Sequence, residues 1–214
     1  MLTAVPIERF TSFGRKIIAF GLSYKHNWPA EAITVGSKKP EPLLFIKPPS
    51  TYTLQGGRPL EVPSGCEVHH EVELAIVIGK EGRDLPISSA ESYIAGYALA
   101  LDMTAKNVQA AERERRIPWT ISKGLDTFTP ISDFISCEAL GDPHDVYLEL
   151  DINGKEAQRG HTSNLLYPIA ELISYASSIM SLERGDVILT GSPPNVGPVK
   201  ALKRWSRKEV IDKH

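Results

Sequence analysis

At 214 residues, with 42% hydrophobic and 23% charged residues, the chain has the size and composition of one globular domain with a sizeable core. Its 24 Lys and Arg against 26 Asp and Glu leave a net charge of −2, without the basic excess of a dedicated nucleic-acid binder. No apolar run of about 18 residues and no apolar leader after Met1 are present, so neither a membrane span nor secretion is expected. Two cysteines, Cys66 and Cys137, cannot build a Cys-rich zinc site, so a metal here would be held mainly by oxygen.

In chain order, residues 16–20 predict a first strand and 43–47 a second, stopped by Pro48-Pro49, which cannot donate to a ladder. Residues 68–78 predict the longest strand, closed by a turn over 79–82. Residues 95–103 predict another. Thr104 then reads as the N-cap of a helix over 105–116. Residues 146–152 alternate polar and apolar side chains, and Asn153-Gly154 behind them is a strong hairpin signal. A helix over 168–180 begins at Pro168 and carries Ile169, Leu172, Ile173, Ala176 and Met180 at helical spacing. Residues 187–190 predict a short buried strand. Strands outnumber helices without a regular βαβ alternation, which predicts an α+β fold with a mixed or antiparallel sheet.

The chemistry-bearing pattern is His69-His70-Glu71-Val72-Glu73-Leu74-Ala75-Ile76. In a strand, Val72, Leu74, Ile76 and Ile78 share one face, and Glu71, Glu73, Ala75 and Val77 share the other. Glu71 and Glu73 then stand roughly 7 Å apart at their Cα atoms. If buried, they need Lys or Arg partners, raised pKa values or a cation; the plainer alternative is a solvent-facing pair. A third acid, Asp102, follows Gly96, Ala98 and Ala100 on one face of the next strand, an arrangement for close backbone approach. Three oxygen ligands favour Mg²⁺, Mn²⁺ or Ca²⁺ over zinc. His69 and His70 point to opposite faces and read as surface histidines at a strand end.

The stretches 45–48 (FIKP), 69–80 (HHEVELAIVIGK), 95–109 (AGYALALDMTAKNVQ), 118–123 (PWTISK) and 185–198 (GDVILTGSPPNVGP) stand in an order and spacing that resemble the fumarylacetoacetate hydrolase family, in particular its small acylpyruvase/oxaloacetate decarboxylase branch. The resemblance implies a β-rich roll of mixed sheets with short helices, here a single catalytic domain over 1–199, and usually a homodimer. It implies Glu71, Glu73 and Asp102 as metal ligands and Lys123 as the active-site lysine. Gln109 resembles a substrate-contacting glutamine. Lys106 stands where relatives often carry Arg, and Ser192 replaces a Thr in the loop 191–197. Relatives carry Tyr-x-x-His-x-x-Glu after the first strand. Here His26 falls two residues after Tyr24, and Glu31 five after His26. They read either as a displaced water-activating dyad or as an unrelated loop histidine and glutamate. The basic segment 200–214 reads as an atypical tail replacing the family's closing strands.

These features imply an enzyme using Mg²⁺, with Mn²⁺ as the alternative ion, on a small 2-oxo acid. Two activities follow: hydrolysis of acylpyruvates, with His26 and Glu31 activating water, and decarboxylation or enol–keto tautomerisation of oxaloacetate. Rival readings are an isomerase or decarboxylase of aromatic ring-cleavage products, and a non-catalytic truncated isoform. The resemblance suggests a mitochondrial or cytoplasmic location, with no nucleic-acid or membrane partner.

Overall fold

The computed structural model describes residues 5–34 and 39–199; the expected tail 200–214 lies outside the described residues. The first strands are β1 (Ile17–Gly21), β2 (Leu43–Lys47), β3 (Tyr52–Leu54), β4 (Val68–His70) and β5 (Val72–Ile78). Helix α1 (Ile87–Ala90) leads to β6 (Ile94–Leu101) and β7 (Thr104–Ala105), followed by helices α2 (Lys106–Glu114) and α3 (Thr120–Lys123). Strands β8 (Thr129–Ile131) and β9 (Ile135–Ser136) precede α4 (Cys137–Leu140). The hairpin β10 (Tyr147–Ile152) and β11 (Lys155–His161), helix α5 (Ile169–Ile179), β12 (Val187–Leu189) and β13 (Gly197–Pro198) complete the order.

The large sheet runs β2-β1-β12-β5-β6-β8-β3, with β9 also paired to β6. It is mixed: β1 lies parallel to β12 and β3 to β8, while β5 is antiparallel to both its neighbours. A three-stranded sheet β13-β4-β7 and the β10–β11 hairpin stand beside it. The α+β expectation holds. No helix among the described residues is long and apolar enough to cross a membrane.

The centre is β5, whose seven residues are all buried. Val72, Leu74, Ile76 and Ile78 pack with Ile169, Leu172, Ile173 and Ala176 of α5. On the other face Ala75 and Val77 meet Ala98 and Ala100 of β6 and Val187 and Leu189 of β12. Each large aliphatic side chain so buried contributes about 1.5–3 kcal/mol. The predicted parity is therefore right, but the face carrying Glu73 is buried as well, which removes the solvent-facing alternative. Gly96, on β6, is required by a close approach: a Cβ there would meet Phe134 Cζ at 2.3 Å.

Three expectations are corrected. The strand predicted over 68–78 is broken at Glu71, where the chain leaves one sheet and joins another. At the break the Val72 N–H is taken by the Gln158 side chain at 2.9 Å, and Glu71 O accepts from the Asp102 N–H at 2.8 Å. Thr104 does not cap α2; it pairs with His69 in the small sheet, and the helix opens at Lys106 without a side-chain cap. His70 is no surface residue, being 3% exposed and bonded through Nδ1 to Gln158 at 3.0 Å. The Asn153-Gly154 hairpin forms with φ of 54° and 75°, both left-handed as a type I′ turn requires.

Candidate active site

The break at Glu71, the end of β6 and the start of α2 bring three acids together. One carboxylate oxygen from each of Glu71, Glu73 and Asp102 lies within 4.8 Å of the others, and all three residues are less than a tenth exposed. Burial this deep forbids uncompensated charge, and lysines supply most of the compensation. Lys123 Nζ donates to Glu71 Oε2 at 2.9 Å and to Asp102 Oδ2. Lys106 donates to Glu71 Oε1. Lys47, fully buried, donates to Asp102 Oδ1 at 2.5 Å and to Phe128 O at 2.7 Å.

The three acids are not equivalent. Burial opposes ionisation of Glu71, but Lys123 and Lys106 outweigh it and hold its pKa at about 2. Glu73 has the Gly191 N–H at 2.7 Å as its hydrogen bond. Burial, reinforced by repulsion from Asp102, pushes its carboxyl well above the usual range despite Lys123. Lys123 is pulled down by burial, yet Asp102 and Glu71 more than reverse this and keep it a firm cation.

A cavity of about 330 Å³ opens onto the acids. Lys106, Gln109 and Arg113, spaced by three and four along α2, present one helical face to it. Lys123, Ser192 and His26 also line it. Ser192 is already engaged: its hydroxyl donates to Val72 O at 3.1 Å and accepts from Gln158 Nε2 at 2.7 Å. That leaves no hydroxyl proton for a substrate carboxylate. Arg113 was not legible as a site residue; its guanidinium sits 5.0 Å over the Trp119 ring, and both line the cavity.

The expected His26–Glu31 pair is not brought together. The chain closes a tight turn over 24–27, with the Asn27 side chain accepting from the Tyr24 N–H, and Pro29 starts a separate turn at Ala30–Ile33. Glu31 is exposed on that turn and outside the cavity wall, and no hydrogen bond or ion pair joins it to His26 among the described residues. His26 Nε2 meets Asn27 Nδ2 instead, at 3.1 Å.

The family model of the fumarylacetoacetate hydrolase C-terminal domain matches residues 16–211. The chain belongs to this family. A mitochondrial oxaloacetate decarboxylase of Dictyostelium discoideum is 47% identical over 196 residues, 91% of this chain and 88% of that protein. A mitochondrial oxaloacetate tautomerase of Arabidopsis thaliana is 47% identical over 196 residues, 91% of this chain and 86% of its own. The crystal structure of fumarylpyruvate hydrolase from Pseudomonas aeruginosa, in complex with Mn²⁺ and pyruvate, matches with a TM-score of 0.77 at 33% identity, over 87% of this chain and 81% of that one.

In this member of the family the donor set fits a hard divalent cation. It offers three buried carboxylate oxygens and no thiolate, and burial together with repulsion from Asp102 raises the pKa of one of its acids, Glu73, a cost that a bound cation would relieve. Glu73 is aimed by Gly191, whose φ of 96° lies in the left-handed region and whose Cβ, if added, would fall 1.8 Å from Ser23 Oγ. Gly191→Ala is therefore expected to displace this loop and remove the bond to Glu73. Divalent-cation affinity, measured by calorimetric titration, should fall at least about tenfold, as backbone strain of this kind costs of order 1–3 kcal/mol.

Proposed function

We propose that the chain is a divalent-metal-dependent enzyme acting on oxaloacetate as a decarboxylase and enol–keto tautomerase, with Mg²⁺ or Mn²⁺ as its ion. The observation that carries this reading is the buried carboxylate triad with Lys123 beside it, opening on a cavity whose wall is rich in cations. The decarboxylase and tautomerase relatives support the choice of substrate.

A cation held by Glu71, Glu73 and Asp102 would supply Lewis acidity toward the 2-oxo group. Lys123 holds a positive charge where negative charge develops on the substrate's C2 oxygen. In decarboxylation the C3–C4 bond breaks, its electron pair moves toward that oxygen, CO₂ leaves, and C3 then takes a proton. Tautomerisation moves a proton between C3 and the same oxygen, and needs the same charge. Lys106 spends one of its N–H donors on Glu71 and keeps others for a substrate carboxylate. Arg113, in the same wall, offers a planar fork suited to the second carboxylate of a dicarboxylic acid. Gln109 contributes a neutral amide between these two cations on the helix face.

Stripping the protein with a chelator tests this reading. Oxaloacetate decarboxylation and tautomerisation, corrected for the rate with metal alone, are expected to fall by roughly 10²-fold or more, as several kcal/mol of charge stabilisation are lost. Restoring Mg²⁺ or Mn²⁺ should recover both. Full activity in the metal-free protein would overturn it.

Acylpyruvate hydrolysis is a second reading, favoured by His26 in the cavity wall and by the fumarylpyruvate hydrolase neighbour. It demands a base for water, and the separation of Glu31 from His26 makes it the weaker activity of this chain. The mitochondrial decarboxylase and tautomerase relatives favour a mitochondrial location, and the family resemblance alone suggests a homodimer.

A further inference from the structure

Three residues after Tyr24 the chain has Asn27. The Tyr24 backbone N–H donates to Asn27 Oδ1 at 3.1 Å, and the Asn27 N–H donates to Tyr24 O at 3.0 Å. A backbone N–H has no accepting role, so the first bond fixes which end of the amide is oxygen. The other end, Nδ2, is a donor only, and it meets His26 Nε2 at 3.1 Å. Nε2 must accept. A neutral imidazole carries one N–H, which then belongs to Nδ1.

We infer that Asn27 is a positioning residue that locks His26 as the neutral Nδ1–H tautomer, making His26 a hydrogen-bond donor to substrate oxygen and not the base of a water-activating dyad. This rests on the oxaloacetate reading above and sharpens it. Protonating Nε2 would set an N–H against the Asn27 NH₂ and lose the bond between them. The residue is exposed, and the partial desolvation of its ring lowers the imidazole pKa below the ordinary value. A neutral imidazole N–H polarises a carbonyl without supplying a formal charge, which suits enolisation. Hydrolysis needs an imidazole with its lone pair free toward water and a partner that stabilises the charge it gains; an amide donor in the partner's place withholds both.

Long-range ¹H–¹⁵N correlation spectra of the full chain at neutral pH test the inference, with the His26 signals identified by their loss in His26→Gln. A protonated Nδ1 and a bare Nε2 are expected. An Nε2–H tautomer, or a doubly protonated ring, would overturn it. In Asn27→Asp the new carboxylate must accept where the amide donated. The proton should therefore move to Nε2, and Nδ1 becomes a base. The ratio of acetylpyruvate hydrolysis to oxaloacetate decarboxylation is then expected to rise by roughly 10²-fold, the lower end of what a positioned base contributes. An unchanged tautomer in this variant overturns the lock. A switched tautomer with an unchanged ratio overturns the part given to His26 in the chemistry. The spectra do not depend on turnover, so a metal-loaded parent protein inactive on oxaloacetate would refute the functional reading separately.

Discussion

Lys123→Met is expected to lower oxaloacetate turnover by roughly 10²–10³-fold, the 2.7–4 kcal/mol scale of one preorganised donor, while divalent-cation affinity holds or rises. The two effects separate because of where the ammonium sits. It bonds to Glu71 and Asp102, two of the three acids that would hold the ion, and so competes with a cation for the same oxygens. Removing it frees those oxygens for metal but takes away the buried positive charge that bridges Glu71 and Asp102. The metal-free variant should also be less stable, since Glu71 and Asp102 lose a buried partner. Adding Mn²⁺ should recover thermal stability more in the variant than in the parent, by binding only the folded state. Single-turnover rates, a cation titration and melting curves with and without Mn²⁺ check all three. A fall in cation affinity as large as the fall in turnover would make Lys123 a structural countercharge. Unchanged kinetics would remove it from the chemistry.

Legibility in the sequence follows the range of the interactions involved. Alternation made β5, β10 and the parity of Glu73 readable, because a strand's faces are set by neighbours two residues away. The acids of the triad were readable for the same reason, and Asp102 because small residues precede it. What failed depends on partners far along the chain. The break at Glu71 is made by Gln158, which takes the Val72 N–H from 86 residues away. Within the charged strand Lys155–His161, Gln158 looks like one more solvated side chain, although it is 1% exposed. Thr104 has the chemistry of an N-cap, but pairing with His69 claims its backbone for a sheet. The dyad reading failed through a shift of one residue: His26 was visible as a histidine near the family position, and Asn27, in that position, carried no signal of its own. Arg113 belongs to the wall through helical spacing from Lys106 and Gln109, which was available once those two were chosen.

Lys47 is the residue whose importance the sequence hid most, and its loss should give the largest change in stability. It ends an apolar strand before Pro48-Pro49, where a lysine ordinarily turns its ammonium to water. Instead it is fully buried, with Asp102 and the carbonyl of Phe128 on its ammonium. Burial pulls its pKa down, and Asp102 opposes that pull. Breaking such a pair from one side costs up to about 3–5 kcal/mol, because Asp102 Oδ1 loses its donor in a low-dielectric interior and Lys123, on Oδ2, is left as the ammonium that bonds the carboxylate. Lys47→Met keeps the length and volume of the stem and deletes only the charge and its donors. The denaturation midpoint in urea should therefore fall by that free energy divided by the slope of the transition, with little change in the slope itself. Packing loss would give a similar single-variant result, so the decisive measurement is the companion variant. Asp102→Asn in the Lys47→Met background removes the carboxylate charge left with one ammonium fewer, and should recover part of the lost stability while leaving the protein unable to bind a divalent cation tightly. Additive losses would mean that the two side chains do not act as a pair. A recovery would assign to Lys47 the task of making a buried ligand carboxylate tolerable in the folded chain before any cation arrives.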